Sequence, residues 1–495
     1  MSELEQKNST PDNKNSAKGD KITVIQLTLM ITAAVISLRG VPLMSQVELT
    51  MFVYIIFAAV LFLIPAALVS AELGTAFAEK GGGVYTWVKE AYNKRTGFVA
   101  VFMQWIQNVV WYPTTLAFGS AAIAYIFNKP ELANDGMFIG VAAIVIYWVS
   151  TWISLQGTSK MSKISSNGFV YGTIVPLIVL VGAAIFWVAQ GNPLAFDSIP
   201  ANQTQISITN NGITEPLFFP HLTSIGNVVF LSTIVLLFAG IEALAVHASE
   251  LENPKKQYPK AMMISSVMAF VILAVGALSV SVILPYNQIS LQAGVMETFK
   301  LVFDHYNIPW MTNIMAILIV VGCISAVISW ISGPSKGLLW TAKDGELPQF
   351  LTKLNKNGVQ QNILLVQGVI VTLLCSMYFV ITDVTVAFFL LSSLTAALYL
   401  VMYMLMYLAG IRLRKTQPDL PRAFKVPGGN FGMMFFGGLG FVAVAFAFVL
   451  CFIPPSQLPI SDPKDYVLFI VAGVLVFILI PIIINKIMNK NKSVN

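Results

Sequence analysis

Two short strings place a charge and a helix breaker inside otherwise apolar sequence. Ser37-Leu38-Arg39-Gly40-Val41-Pro42 combines a guanidinium, a glycine and a proline. Phe238-Ala239-Gly240-Ile241-Glu242-Ala243 sets a glycine beside a carboxylate, and its apolar run closes on Glu250-Leu251-Glu252-Asn253-Pro254. A helix that breaks inside lipid releases N–H and C=O groups that water cannot satisfy. Such groups can hold the carboxylate and ammonium of an amino acid, with half-helix N-termini favouring the anionic end. Ile36, Ser37, Arg39 and Gly40 at the first break, and Ala239, Gly240 and Glu242 at the second, are therefore candidate substrate-binding residues. Other readings stay open at this point. Each glycine also suits close packing between helices. Arg39 also suits snorkelling to the outer interface, and Glu242 suits a structural ion pair, a hydrogen bond to broken backbone, proton handling or ammonium binding. The two charges are candidate partners for each other.

Further polar residues cluster in other apolar runs. Gln104, Trp105, Gln107, Asn108, Trp111, Tyr112 and Pro113 fall close together. Positions 104, 108, 111 and 112 share one helical face, so that face is expected to look into a bundle, and Gln104 and Asn108 join the candidate site. Ser325, Ser329 and Trp330, with Ser392, Ser393 and Thr395, either face a cavity or mark helix packing, the default for small hydroxyl residues. Ser325 and Ser329 are kept as site candidates. His247 reads as a hydrogen-bonded structural histidine in preference to a pH sensor.

Several chemistries are excluded. Cys323, Cys375 and Cys451 sit in apolar runs without CxxC spacing, and His221, His247 and His305 are scattered. No disulfide, zinc or haem site is expected, and no cofactor. Gly81-Gly82-Gly83 and Val426-Pro427-Gly428-Gly429 lack the GxxxxGK spacing of a phosphate loop. With no ATP-binding module and no nucleophile, acid–base or paired-carboxylate constellation, the chain reads as gradient-driven and not as an enzyme.

The elements that must position these residues follow from composition. Of 495 residues, 56% are hydrophobic and 11% charged, with a mean hydropathy of +0.76. A water-soluble surface cannot be built from that mixture. Twelve apolar stretches of bilayer-spanning length run over 22–44, 51–73, 98–127, 137–156, 167–190, 225–249, 260–284, 309–332, 362–382, 385–411, 431–453 and 465–487. The expected fold class is an all-α polytopic membrane protein with twelve transmembrane helices. Lys and Arg divide between the two sides as a topological label. Twenty-five fall on the segments assigned inside, while only Lys129, Lys300 and Lys464 fall outside. Both termini are thus expected on the cytoplasmic side of the cell membrane. Arg39 alone belongs to neither set. The net charge of +6 forms no patch for nucleic acid. Residues 1–21 read as a disordered tail without signal-peptide character, 22–488 as one transporter domain, and 489–495 as a short second tail. Membrane lipid and small-molecule amino acids are the expected partners, with a monomer or homodimer as the assembly.

A family resemblance rests on ordered strings. These are Glu72-Leu73 with Lys80-Gly81-Gly82-Gly83-Val84-Tyr85 and Gly97-Phe98, then Gly240-x-Glu242 with Glu252-Asn253-Pro254 and Tyr258-Pro259. Gly333-Pro334-Ser335-Lys336-Gly337, Ala342-Lys343-Asp344-Gly345-Glu346-Leu347-Pro348 and Pro421-Arg422-Ala423-Phe424-Lys425-Val426-Pro427-Gly428-Gly429 follow. Together they resemble the amino acid–polyamine–organocation transporters over nearly all of the chain after residue 21. Leu291-x-Ala293-Gly294-Val295-Met296-x-Thr298-Phe299 and Asn355-Lys356-Asn357-Gly358-Val359 are most similar to the glutamate:GABA antiporter branch. The resemblance implies a LeuT-like 5+5 inverted-repeat core, about 22–190 and 225–411, plus two extra helices within 431–487. It also implies exchange of an amino acid for a related amine or amino acid: histidine for histamine, tyrosine for tyramine, or glutamate for GABA. The alternative is a proton-coupled amino acid importer. Span five lacks the mid-span lysine of some proton-coupled relatives, which favours exchange. Arg39-Gly40-Val41-Pro42 departs from the branch's Tyr-Glu-Tyr-Pro, and Ala326 stands where the branch has a carboxylate. The chain ends at Asn495, shortly after span twelve, where that branch continues in a long tail.

Overall fold

Long apolar runs satisfy their backbone in lipid by coiling on themselves. The computed structural model describes residues 23–195, 207–210, 213–220, 228–245, 251–381, 383–454 and 463–492. His221, His247, Glu250, the expected N-terminal tail and the last three residues lie outside that set. In chain order the helices are α1 (Val24–Val35), α2 (Val41–Ser45), α3 (Met51–Ala58), α4 (Ile64–Ala76), α5 (Val84–Ala91), α6 (Lys94–Ile126), α7 (Gly136–Ser154), α8 (Thr158–Phe169) and α9 (Val175–Ala189). They continue as α10 (Phe230–Leu237), α11 (Pro254–Ile283), α12 (Gly294–His305), α13 (Trp310–Lys343), α14 (Gln361–Cys375), α15 (Met377–Val380), α16 (Val384–Thr416), α17 (Gly429–Leu450) and α18 (Pro463–Lys492).

Ten helical stretches among the described residues are long and apolar enough to cross a membrane. They correspond to ten of the twelve stretches expected from the sequence. The other two, 22–44 and 225–249, contain the breaks. α1 stops at Val35, Ile36 and Ser37 are extended, and the chain resumes as a 3₁₀ turn, Leu38–Gly40, leading into α2. α10 stops at Leu237 and the chain turns through 238–242. Layering follows from burial: 89% of the apolar window of Lys94–Ile126 is buried, against 17% for Pro463–Met488. α6 is thus the central post, flanked by α13 and α16, and α18 is peripheral.

Prolines shape several helices. The π-type turns Ala59–Leu63 and Val170–Ile174 each precede a proline by two residues, Pro65 and Pro176. A proline has no N–H and its ring crowds the carbonyl four residues back, and a widened turn relieves both defects. The sequence places the end of span eight at 332, before Gly333-Pro334, but α13 runs on to Lys343. Pro334 cannot satisfy the Trp330 carbonyl, and Asn108 Nδ2 donates to that oxygen at 3.0 Å instead. A side chain from α6 thereby repairs the α13 ladder.

One β-hairpin interrupts the helical fold, β1 (Ser207–Asn210) pairing antiparallel with β2 (Ile213–Pro216). It falls in the long loop expected after span five.

Two charge clusters tie loops to the bundle. The buried Glu72 carboxylate accepts from Arg414 Nε and Nη2, both at 2.7 Å, and from the Val426 N–H at 2.7 Å, and it forms an ion pair with the Arg422 guanidinium, Nε at 3.1 Å. Asp344, at the C-terminal end of α13, accepts from Lys89 Nζ at 2.5 Å and from the Tyr85 hydroxyl at 2.6 Å. That pair of bonds fastens α5 to α13.

Candidate substrate-binding site at the two helix breaks

At the first break, Ser37 Oγ accepts from the Arg39 N–H at 3.2 Å, closing the turn that restarts the helix. A helix that stops at Val35 leaves its last carbonyls without intrahelical partners. At the second, Gly240 has φ +109°, a backbone conformation that a side chain rarely adopts. A Cβ there would lie 2.6 Å from the Trp330 ring. The position therefore requires glycine twice over, once for conformation and once for space. The Gly240 N–H, turned out of any helix, donates to the Tyr403 hydroxyl at 2.8 Å.

Glu242 is 1% exposed. Its carboxylate accepts from Gln104 Nε2 at 3.0 Å, from the Tyr399 hydroxyl at 2.5 Å and from the Tyr403 hydroxyl. Tyr399, Tyr403 and Tyr407 stand at i, i+4 and i+8 on α16, so they share one face. Their adjacent ring centroids are 4.9 Å and 6.2 Å apart. Tyr403 thus does two jobs at the second break, accepting from its glycine and donating to its carboxylate.

Arg39 does not pair with Glu242. Its Nη1 donates to Thr114 Oγ1 at 3.2 Å, and its guanidinium lies 5.7 Å from the Trp111 ring centroid and 5.6 Å from that of Phe388. Each charge of the two breaks is held by a different set of neighbours.

A small cavity of about 30 Å³ lies between the breaks and is lined by Val35, Ile36, Ser37, Arg39 and Gly40 from the first, and Leu236, Leu237 and Ala239 from the second. Gln107 and Trp111 of α6, Ala269 and Leu273 of α11, Trp330 of α13 and Tyr399 of α16 complete it. Of the residues expected at the site, Ile36, Ser37, Arg39, Gly40 and Ala239 reach this cavity. Gln104, Gly240 and Glu242 form the hydrogen-bonded layer next to it. Asn108 is turned to Tyr112, at 2.7 Å, and to the Trp330 carbonyl.

Ser325 and Ser329 lie in a helix crossing. Ser325 Oγ donates to the Ser165 carbonyl and Ser329 bonds Ser165 Oγ, where α13 meets α8. In the same crossing a Cβ on Gly172 would lie 2.1 Å from the Gly322 nitrogen, so the two backbones touch.

The sequence reasoning did not assign Gln107, Trp111 and Trp330 to the binding site, and it passed over Tyr399 and Tyr403 altogether. The face argument for α6 fails because that helix is buried nearly all round, so polarity does not mark a single inward face. The tyrosines had a legible signal: three phenols at four-residue spacing in an apolar span.

Comparison with known proteins agrees with this architecture. A sequence model of the amino acid permease family matches residues 22–480. The chain is 37% identical over 460 residues to an uncharacterized transporter of Legionella pneumophila, covering 93% of this chain and 95% of that protein. It is 31% identical over 473 residues to a glutamate/gamma-aminobutyrate antiporter of Lactococcus lactis, covering 95% and 91%. A probable agmatine/putrescine antiporter of the same species is 24% identical over 466 residues, covering 92% and 94%. A broken-helix cavity in a bundle of membrane-length helices and a family match over nearly the whole chain lead to one conclusion: this is a multi-pass membrane transporter, not an enzyme, and it belongs to the amino acid permease family.

Proposed function

We propose that the chain is a secondary-active antiporter of the cytoplasmic membrane that exchanges an external amino acid for a related amine or amino acid by alternating access. The observation that carries this reading is the meeting of two helix breaks, far apart in sequence, on one buried cavity. Discontinuous helices facing each other at a central site are the arrangement of inverted-repeat transporters. On this reading the interrupted stretches complete twelve crossings, residues 22–190 and 225–411 are the two repeats, and the helices within 431–487 are additions. The uneven distribution of Lys and Arg supports cytoplasmic termini. The relatives named for glutamate/gamma-aminobutyrate and agmatine/putrescine exchange support antiport.

The substrate's backbone groups sit at Ile36, Ser37, Gly40 and Ala239. Gly240, Glu242, Gln104 and Asn108 hold the second break and its neighbouring helix in shape, and Ser325 and Ser329 hold the α8–α13 crossing. Exchange follows if the empty carrier reorients slowly, because only the loaded form then crosses, and a gradient of one solute drives the other.

Proteoliposomes test the proposal. Labelled amino acid is expected to enter only when an unlabelled amino acid or amine is loaded inside. Uptake into empty vesicles driven by a pH gradient alone would replace antiport with proton-coupled import.

A further inference from the structure

Two apolar stripes on the outside of the bundle converge on one polar cavity. On α7, Met137, Val141, Val145, Val149 and Trp152 are exposed at helical spacing. On α14, Leu365, Val369 and Leu373 are exposed at four-residue spacing, and Gln361 begins the same row. Exposed apolar side chains on spanning helices face acyl chains, which are as apolar as they are. The two helices pack side by side in opposite directions: Trp148 Nε1 of α7 donates to Thr372 Oγ1 of α14 at 3.1 Å, and the chain leaving α7 meets the chain entering α14. The groove between them therefore runs through the lipid-facing surface and closes where α7 ends and α14 begins.

At that closure lies an open cavity of about 570 Å³, lined by Trp152, Gln156, Lys353, Lys356 and Gln361 among others. Its loop wall is fixed in place. Asn355 Nδ2 and Asn357 Nδ2 donate to the Leu155 carbonyl at 2.8 and 2.9 Å, and Asn355 Oδ1 accepts from the N–H groups of Asn357 and Val359 at 2.9 and 3.0 Å. No acid lines the cavity, and Lys353 and Lys356 make no ion pair among the described residues. The acids that precede them in the same loop are engaged elsewhere, Asp344 by Lys89 and Tyr85 and Glu346 by Asn485. Phe350 and Leu354, both exposed, flank Lys353, so the loop sets apolar groups beside cations as interfacial segments do. Trp152, 63% exposed in the last turn of α7, is the residue type that marks headgroup depth.

We propose that this cavity binds the headgroup of an anionic phospholipid, with the phosphate held by Lys353 and Lys356 and the acyl chains lying along the groove between α7 and α14. Two lysines without counter-ions supply the charge complementarity, and the converging apolar stripes supply the surface that a free phosphate could not use. A zwitterionic headgroup brings its own ammonium to the lysines and gains less. Seated there, the lipid joins the ends of two spanning helices to the loop between α13 and α14 and stabilises that corner of the bundle. The inference rests on the orientation proposed above for the leaflet, the cytoplasmic one, but not for the chemistry of the site.

The test follows thermal unfolding of the full chain in uncharged detergent micelles doped with phosphatidylglycerol or with phosphatidylcholine of the same acyl chains. Phosphatidylglycerol should raise the midpoint and phosphatidylcholine should not. Half of that shift should require about fivefold more phosphatidylglycerol for each lysine removed in Lys353→Gln and Lys356→Gln, since one lysine near an anionic headgroup is worth about that factor. Lys160→Gln with Lys163→Gln, two exposed lysines of α8 that do not line the cavity, should leave the titration unchanged. Equal shifts from the two lipids, an undiminished shift in the Lys353→Gln, Lys356→Gln double variant, or an equal loss in the α8 double variant would each overturn the site. Inorganic phosphate at matched ionic strength should give no shift, and one as large as the lipid's would replace the phospholipid with a free anion. The comparison of lipids on the wild type needs no variant, so it decides the matter even where a variant does not fold. Because every readout is binding, a failure of the antiport reading would leave these results standing.

Discussion

The three tyrosines of α16 make a graded experiment in which a single oxygen is removed each time. Tyr403→Phe deletes the hydroxyl that accepts from the Gly240 N–H and donates to Glu242. A buried N–H left without an acceptor costs about 1–3 kcal/mol, and a lost hydrogen bond to a charged group about 1.5–3 kcal/mol, so the change should destabilise by about 2.5–6 kcal/mol. Tyr399→Phe removes one bond to Glu242 Oε1, an oxygen that Gln104 also serves, so about 1.5–3 kcal/mol is expected. The Tyr407 hydroxyl makes only a 3.4 Å bond to the Phe62 carbonyl, and its loss should cost less than about 1 kcal/mol. The purified variants, heated in detergent and followed by the fraction remaining monodisperse, should rank Tyr403→Phe least stable, then Tyr399→Phe, then Tyr407→Phe near wild type. Counterflow should fall in the same order, because the second break loses its shape. Equal midpoints for Tyr403→Phe and Tyr407→Phe would refute the claim that Tyr403 braces both the glycine and the carboxylate.

Gly240→Ala introduces a side chain at φ +109° and 2.6 Å from Trp330. Backbone strain of about 1–3 kcal/mol joins a steric clash, so exchange should be lost; wild-type counterflow in this variant would show that the break relaxes freely. On the loop side, burial raises the Asp344 carboxyl, but its hydrogen bonds from Lys89 and Tyr85 and the charges of Lys89 and Lys94 outweigh that, leaving it below its ordinary value of 3.8. A carboxylate depressed in the folded state stabilises above its unfolded value, and the contribution fades as pH falls through the folded one. Thermal stability owed to the α5–α13 tie should therefore be flat from about pH 7 to 5 and decline only in stronger acid. Asp344→Asn should lower stability across that range and flatten the acid slope, and an unchanged slope would remove Asp344 as its source.

Some of this was legible without a fold. Lipid as solvent, helices as the spanning elements and the positions of both breaks follow from composition, run length and the placement of Gly, Pro and charge, all of which are local properties. Partnership is not local. Glu242 meets Gln104, Tyr399 and Tyr403 across more than 130 residues of chain, and nothing in the flanking sequence of any one of them names the others. Arg39 and Glu242 looked equally matched on paper, being the two charges inside apolar runs. Tertiary packing separated them by filling one with phenols and an amide while giving the other only rings and a hydroxyl.

The same division explains the helix ends and the serines. A Gly-Pro pair reads as a stop because the isolated helix loses a hydrogen bond there, whereas in the bundle Asn108 supplies the missing donor and α13 continues. Ser325 and Ser329 have the chemistry of a binding site, but Ser165 on a neighbouring helix takes up their hydroxyls. By itself the sequence determined that this protein lives in lipid, as helices, with two breaks and one basic residue outside the topological pattern, because burial and backbone satisfaction act on each segment alone. Only the tertiary structure decided which polar groups are spent on one another and which remain for a ligand, because a hydrogen-bond donor is exhausted by its neighbours in space.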